Sequence, residues 1–245
     1  MPQVWGKVKI PAGKKIAVNL GCDFDAQSLW ICLNRTSPAY MSRGEFGAEV
    51  GMPRLMRLFD KYKVRSTFCI PGHTIDTWPE LCREVAAAGH EIGHHGYAHE
   101  NPQSLKLQEE IKVMELGLEA LARIGVKPRT YRAPYWDFSE NTLGLLERYG
   151  FEIDSSLLAN DFHPYWIRPV EVHAERGNVF GPPGRILEIP GQWYLTDFSQ
   201  VEFIPGFQEG MRPAHDHDSA AHQDEGEQRA DTGGLSQNPD RGKRR

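Results

Sequence analysis

Cysteine, long apolar runs and positive charge are all in short supply in this chain, and each shortage excludes a class of protein. The four cysteines are scattered, with no Cys-x-x-Cys pair and no spacing typical of a disulfide framework, and we expect them to be free thiols. No segment has the roughly 18 consecutive apolar residues that span a bilayer, and the first residues lack the apolar centre of a secretory signal. We therefore expect a soluble, cytoplasmic protein without a membrane partner.

The charge balance excludes a further class of partner. Acidic residues outnumber basic ones by 33 to 28, and the formal net charge is −5. A chain of this kind lacks the excess of basic residues that is typical of proteins that bind nucleic acid. Since 40% of the 245 residues are hydrophobic and 25% are charged, the composition is that of an ordinary globular protein with a sizeable core.

The composition changes near residue 210. Residues 1–210 contain the apolar segments, whereas residues 211–245 hold almost no large apolar side chain and cannot build a core. We predict a globular domain over 1–210 and a polar, disordered tail over 211–245. The tail histidines, His215, His217 and His222, are assigned to this solvated segment and not to a metal site.

Short apolar runs alternate with segments of helical periodicity, a pattern that predicts a parallel sheet covered by helices. The predicted strands are residues 15–20, 64–70, 90–93, 130–133, 151–154 and 186–190. The predicted helices are residues 54–62, a helix that begins in a capping box of Thr77 and Glu80 and runs to residue 88, residues 105–124 and residues 140–149. Residues 28–51 show no sustained period and are interpreted as a long loop over the site.

Polar motifs lie at the ends of three predicted strands. Asp23 and Asp25 follow the first strand, His95 and His99 follow the third, and Arg132 lies at the end of the fourth. Because ligands gather beyond the carboxyl ends of parallel strands, we expect these side chains to share one site.

The residue types in these motifs favour a metal-dependent hydrolase. His95 and His99 stand four residues apart, and on a helical turn both rings would lie on one face and reach one ion. With the carboxylate of Asp25 they form a set that would hold Zn²⁺, or alternatively Mn²⁺, Co²⁺ or Fe²⁺, and leave positions open for water and substrate. Asp23 would act as the general base. Two alternatives stay open: Cys22 as a nucleophile, and histidines that are satisfied in the core without a metal.

Taken together, the motifs resemble the NodB-type polysaccharide deacetylases, also called carbohydrate esterase family four. The resemblance rests on Asp23-Phe24-Asp25, His95-Gly96-Tyr97-Ala98-His99 and Arg132-Ala133-Pro134-Tyr135-Trp136, and it covers roughly residues 14–210. It implies an α/β fold, a distorted (β/α) barrel with a metal-dependent hydrolase site. By this likeness the metal ligands are Asp25, His95 and His99. Asp23 is the base, and Arg132 orients it.

Two departures from the family's pattern refine these expectations. Asp23-Phe24-Asp25 and the glycine at position 96 resemble a subgroup with peptidoglycan deacetylase, cyclic imide hydrolase and allantoinase-like members. This likeness implies an intracellular homo-oligomer with a narrow pocket, for which Trp30, Tyr97 and Trp136 are candidate substrate-binding residues. The second departure is that the family's last motif, a Leu-x-x-His-Pro-like segment whose His is the general acid, has no counterpart here. We therefore expect a barrel without its last strand and helix, and we hypothesise that residues 211–245 are a frameshift product.

These observations predict a metal-dependent hydrolase of non-peptide carbon–nitrogen bonds. The lack of an export signal favours a small cyclic amide, imide or ureide as the substrate. The alternative within this class is N-deacetylation of amino sugars, in a polysaccharide or in peptidoglycan. A further alternative is an inactive, truncated member that binds metal without turnover.

Overall fold

The fold is seen in a computed structural model that describes residues 12–198. Residues 12–192 belong to one compact unit, and residues 193–198, which include the 3-10 turn Trp193–Leu195, belong to a second. The predicted domain boundary near residue 210 and the predicted tail over 211–245 lie outside the described residues. Within residues 12–198, every helix is too short or too polar to cross a bilayer.

A seven-stranded sheet forms the centre of the larger unit. The strands, in chain order, are β1 (Gly21–Asp23), β2 (Thr67–Ile70), β3 (Glu91–His94), β4 (Thr130–Tyr131), β5 (Ile153–Asp154), β6 (Tyr165–Trp166), β7 (Val170–Glu171), β8 (Val179–Phe180) and β9 (Leu187–Glu188). The sheet order is β1-β2-β3-β4-β5-β9-β6, and every neighbouring pair is parallel except β9 and β6. β7 and β8 form a separate antiparallel hairpin. Over residues 12–198, no pairing joins β1 to β6, and the sheet is not closed.

Helices alternate with the strands, as the sequence predicts for an α/β fold. They are α1 (Ser28–Cys32), α2 (Pro38–Phe46), α3 (Met52–Tyr62), α4 (Gly72–Thr77), α5 (Pro79–Ala87), α6 (Leu107–Arg123) and α7 (Thr142–Tyr149). A π-helical turn, Gly47–Gly51, joins α2 to α3, and 3-10 turns span Pro102–Ser104 and Pro134–Trp136. The helix stops predicted at Gly89, Gly125 and Gly150 are confirmed, because all three glycines have a positive φ.

Two apolar clusters form the core, and α6 contributes to both. One cluster contains Phe59, Phe68, Ile92 and Leu121, and the other contains Met114, Tyr131, Leu145, Leu146, Phe151 and Ile186. The apolar stripe predicted for this helix is therefore core at Met114 and Leu121, whereas Leu107, at its first residue, is 43% exposed. This packing fixes α6 against the sheet and against the loops at its carboxyl edge.

The predicted first strand is wrong in position. Residues 15–20 form no strand, and the side chains of Ile16 and Val18 are 73% and 72% exposed. The first strand begins at Gly21 and lies at the edge of the sheet, where β2 is its partner. An apolar run predicts burial only if another layer covers it, and the sequence pattern does not reveal which runs are covered.

The predicted long loop over residues 28–51 is also wrong, because most of this segment is helical. α2 has mostly exposed side chains, so its apolar residues do not recur at the helical interval that burial imposes. The segment is held by Trp30, whose ring centroid lies 5.3 Å from that of Tyr40 and 4.2 Å from the guanidinium carbon of Arg43.

The predicted capping box at Thr77 is wrong as well. Thr77 is the last residue of α4, and its hydroxyl donates a hydrogen bond to the carbonyl of His73 over 2.7 Å. α5 begins at Pro79, whose missing N–H costs nothing at the first helical position. Glu80 pairs with Arg83 instead of capping the helix. The capping pattern fails here because one helix ends immediately before the next begins.

Candidate metal and catalytic site

The sheet brings the three polar motifs to one edge, as the sequence predicts. Asp23 is the last residue of β1, His94 is the last residue of β3, and Arg132 directly follows β4. The main-chain N–H of Arg132 donates to the carbonyl of His94 over 3.0 Å, which fixes the register of the two segments. The side chains that follow these strand ends therefore converge.

Asp25, His95 and His99 surround one point. Nε2 of His95 lies 3.7 Å from Oδ1 of Asp25, and Nε2 of His99 lies 3.6 Å from Oδ2. One ligand atom from each residue falls within 4.8 Å of the others, and both imidazoles are buried. The two ring centroids are 5.0 Å apart, although the helical turn predicted for them is wrong. Residues 95–99 form a loop in which His99 adopts a φ of 66°.

This donor set fits a divalent cation. Oδ1 of Asp25 is buried and has no hydrogen-bond partner within residues 12–198, an arrangement that is costly for a carboxylate unless a cation satisfies it. The loop that carries Asp25 is held by the hydroxyls of Ser28 and Thr74, which both donate to its main-chain carbonyl. Two imidazoles and one carboxylate form a set typical of Zn²⁺ and related ions with open positions.

The ring of His95 is oriented by the main chain. Its Nδ1 lies 2.7 Å from the carbonyl oxygen of Arg132, so Nδ1–H donates and the lone pair of Nε2 faces Asp25. Burial lowers the pKa of His95 and outweighs the carboxylates of Asp23 and Asp25, which act to raise it. The neutral imidazole is the form that binds a metal.

The third histidine of this loop has a structural role. His94 is fully buried, its Nε2–H donates to the carbonyl of Met114 over 3.0 Å, and its Nδ1 accepts from the N–H of Gly96. Burial lowers the pKa of His94 to about 4, so the ring is neutral at physiological pH. Both ring nitrogens are satisfied, and His94 links α6 to the loop that carries the other two rings.

Asp23 is the carboxylate beside the candidate metal position, and Arg132 grips it. Nη1 of Arg132 lies 2.6 Å from Oδ1 of Asp23, while Nε and Nη2 donate to the carbonyl and hydroxyl of Ser155 over 2.9 Å each. Burial raises the pKa of Asp23, but the Arg132 guanidinium and the nearby histidines reverse this effect, so the net pKa is lowered. The side chain of Asp23 stays 27% exposed and within reach of solvent.

The three aromatic candidates for substrate binding are placed differently. The ring of Trp136 lies 5.6 Å from the guanidinium carbon of Arg132, at the edge of the site. The hydroxyl of Tyr97 instead donates to Asp76 over 3.2 Å. Trp30 is buried, and its described contacts are with α2. Only Trp136 of the three is therefore in contact with one of the predicted catalytic residues among the described contacts.

Two residues beside the site were missed by the sequence analysis. The ring of Tyr135 lies 5.2 Å from that of His99, and its hydroxyl lies 3.5 Å from the sulfur of Cys32. Tyr135 belongs to the third motif, and this could have drawn attention to it. Cys32 carries no comparable signal, because it lies in a segment without a recognisable period and far from His99 along the chain.

Comparison with known proteins decides the family. A peptidoglycan deacetylase from Helicobacter pylori is 39% identical over 205 residues, which are 78% of this chain and 70% of that protein. The chain belongs to the polysaccharide deacetylase family. The sequence profile of this family, described as polysaccharide deacetylase, matches residues 44–153. The resemblance drawn from the three motifs, to the NodB domain of carbohydrate esterase family four, is therefore confirmed.

Other similar proteins agree with this assignment. A peptidoglycan deacetylase-like protein from Gibberella zeae is 29% identical over 79% of this chain and 62% of its own length. A solved structure from Mycobacterium smegmatis, assigned to the polysaccharide deacetylases, is 37% identical with a TM-score of 0.68, over 82% of this chain and 67% of that one. A solved allantoinase is 25% identical with a TM-score of 0.52, over 64% and 48%. The chain thus spans about two thirds of the length of several relatives.

Proposed function

We propose that this chain is a metal-dependent N-deacetylase of amino sugars, with peptidoglycan or a related glycan as its substrate. The observation that carries the proposal is the position of Asp23, held by Arg132, next to a triad of metal-type donors in a member of this family. The comparisons favour this alternative over the small cyclic amide that the sequence analysis favoured. Two relatives that match over more than 200 residues are named for peptidoglycan deacetylation.

Asp25, His95 and His99 are the residues that would hold the cation. A divalent ion there would supply a Lewis acid for the acetamide carbonyl. The chain keeps the donors ready in two ways, since a main-chain carbonyl orients His95 and two hydroxyls fix the loop of Asp25. Preorganised donors of this kind need little rearrangement when the substrate arrives.

Asp23 is the residue to which we assign the role of general base. A carboxylate accepts a proton from attacking water only when it is ionised, and the ion pair with Arg132 keeps Asp23 in that form at neutral pH. Arg132 acts through Asp23 as a positioning residue, because its other two donors anchor it to Ser155. Trp136, next to the Arg132 guanidinium, is the aromatic side chain we assign to the substrate-binding wall.

Acetate release from defined substrates tests the proposal. The protein is loaded with Zn²⁺ or Co²⁺ and incubated with N-acetylglucosamine oligomers, with peptidoglycan fragments and with a cyclic ureide. We expect acetate from the N-acetylated glycans. His95→Ala should abolish both metal binding and acetate release. His173→Ala makes the same change between β7 and β8, where His173 pairs with Glu171, and should leave both unchanged.

Two outcomes would contradict this assignment. Opening of the cyclic ureide without acetate release would favour the substrate class that the likeness to an allantoinase raises. Stoichiometric metal binding without turnover of any of these amides would indicate an inactive member of the family.

A further inference from the structure

The two histidines of the triad differ in how their second ring nitrogen is held. Nδ1 of His95 has the carbonyl of Arg132 as its partner, at 2.7 Å. Nδ1 of His99 is buried and has no hydrogen-bond partner within residues 12–198. An imidazole that binds a metal nearly always donates its other N–H, because this bond fixes the tautomer and the ring orientation. His99 therefore needs a partner that accepts a hydrogen bond from Nδ1–H.

Cys32 is the side chain placed to supply it. The thiol lies at the C-terminal end of α1, and the imidazole of His99 lowers the pKa of this thiol. Its sulfur is also 3.5 Å from the hydroxyl of Tyr135, whose ring stands edge-on to His99 at 5.2 Å. His99 thus lies in a corner formed by Cys32 and Tyr135.

The backbone at His99 is held in an unusual conformation. A φ of 66° is unusual for a residue with a side chain, and it persists only when the surroundings impose it. The preceding loop is tied down by Glu100, whose carboxylate accepts the N–H groups of Tyr97 and Ala98 over 3.0 and 2.8 Å. These bonds fix the main chain and leave the rotation of the His99 ring to its side-chain neighbours.

We propose that, in the metal-bound protein, Cys32 positions His99 by accepting a hydrogen bond from Nδ1–H, so that Nε2 presents its lone pair to the ion. The inference rests on the function proposed above, because it assumes the metal site. Cys32 acts as a positioning residue and not as a ligand, since the cluster of donor atoms within 4.8 Å consists of Asp25, His95 and His99. A sulfur acceptor is weak, and the arrangement makes metal affinity depend on a thiol.

Metal affinity and the ligand field test this role without relying on turnover. The dissociation constant for Zn²⁺ is measured by competition with a chelator, and the visible absorption of the Co²⁺-loaded protein reports the geometry around the ion. Loss of an outer partner of a metal-binding histidine typically weakens binding by roughly 10- to 100-fold. We expect Cys32→Ala to show this loss and an altered Co²⁺ spectrum, and Cys32→Ser to recover most of both.

The control variant makes the same cysteine-to-serine change at a position that does not contact the imidazole of His99 among the described contacts. Cys22, one residue before Asp23, packs against the apolar core cluster, with Ser66 at 3.6 Å from its sulfur. Cys22→Ser should bind Zn²⁺ as the parent does. Far-UV circular dichroism of each variant checks that the fold is retained.

The outcomes separate this inference from the proposed function. Cys32→Ala and Cys32→Ser with the affinity and spectrum of the parent would overturn the role of Cys32, even while His95→Ala abolishes binding. A His95→Ala protein that binds Zn²⁺ as tightly as the parent would instead overturn the metal site itself. A spectrum altered in Cys32→Ala and restored in Cys32→Ser would be the signature of a hydrogen bond to Nδ1.

Discussion

Arg132 uses three of its guanidinium nitrogens in fixed directions. Nη1 binds Asp23, while Nε and Nη2 bind Ser155, and the side chain is buried. The planar fork of arginine can make these contacts together, whereas the ammonium of lysine is a point charge on a flexible stem. The position of the proposed base therefore depends on the shape of the guanidinium as well as on its charge.

Replacement of this arginine by lysine tests that dependence. Arg132→Lys keeps the positive charge beside Asp23 but loses the anchor to Ser155, so Asp23 is held less well. We expect kcat for acetate release to fall by roughly 10²-fold, because a displacement of about 1 Å in a reacting group has an effect of this size. Zinc content should stay near that of the parent. An unchanged kcat would show that charge alone suffices.

The residues of the site were predictable where they lie at or just after the carboxyl end of a strand. The strand predicted before Asp23 and Asp25 was misplaced, but β1 and β4 still end at Asp23 and just before Arg132, and parallel strands end at a common edge. Cys32 was not predictable, because its contact with the site depends on how a short helix packs. Aromatic identity was equally uninformative at Tyr97, since composition does not reveal whether a ring turns toward a site or toward Asp76.

At the scale of elements, α6 lies so close to His94 and to the loop of residues 95–99 that only glycine fits at position 117 of the helix. A Cβ on Gly117 would lie 2.2 Å from Nε2 of His94 and 2.9 Å from the carbonyl oxygen of Gly96. The helix therefore forms a wall against the segment that carries the candidate ligands. Any increase in volume at Gly117 must displace that segment.

Gly117→Ala should lower the free energy of unfolding by about 1–3 kcal/mol, the usual cost of overpacking, and should weaken Zn²⁺ binding. Gly144→Ala is the matched control, since a Cβ there meets nothing within 4 Å and the residue lies in α7. That change should be neutral or stabilising by up to about 1 kcal/mol. Urea denaturation with a chelator titration measures both effects. Equal behaviour of the two variants would contradict the close approach.

β5 and β9 bring two buried acids together. Asp154 and Glu188 are register partners in the sheet, and both are fully buried. Burial raises the pKa of Asp154. Burial also raises the pKa of Glu188, and the charge of Asp154 adds to this effect. The folded protein thus holds a proton more tightly here than the unfolded chain does.

The sign of the resulting pH dependence follows from this difference. The contribution to stability is fully present below the ordinary glutamate pKa of 4.5 and is lost as the pH rises through the raised pKa. Glu188→Gln keeps the size of the side chain and cannot ionise, so we expect its free energy of unfolding to fall less between pH 5 and pH 9. Urea melts across this range give the comparison. Parallel curves for the parent and the variant would refute the expectation.

Helices and strands were predictable where buried apolar residues recur at a regular interval along the chain. The helix over α6 and the glycine stops after three helices were found in this way. The hairpin of β7 and β8 was not found, because its residues are largely exposed and the segment is rich in proline and glycine. In exposed strands and helices, apolar residues need not recur at a regular interval, so the sequence pattern does not reveal these elements.

At the scale of the whole molecule, the parallel arrangement of the sheet was predictable, whereas the exposure of the segment before β1 was not. Alternating strands and helices require a parallel sheet with short connections. β1 lies at an edge in residues 12–198, and the apolar side chains of Ile16, Val18 and Leu20 stand exposed just before it. An uncovered edge with apolar neighbours favours association with other chains.

Charge placed on this surface should reduce that association. The double variant Ile16→Lys with Val18→Lys should lower the apparent mass in light scattering at high protein concentration and leave Zn²⁺ affinity unchanged. Leu58→Lys, on an exposed position of α3, is the control. If Leu58→Lys had the same effect, general surface polarity and not the sheet edge would explain the change.

The main-chain carbonyl of Arg132 orients the ring of His95, and the guanidinium of Arg132 binds Asp23. One residue therefore positions two functional groups. A displacement of β4 would move the ring of His95 and the carboxylate of Asp23 together, so the distance between them would be kept. In a site whose groups were held by separate segments, the same displacement would change that distance. Natural variation in the strands around β4 is therefore expected to be tolerated more readily than any change in the peptide unit that joins residues 132 and 133.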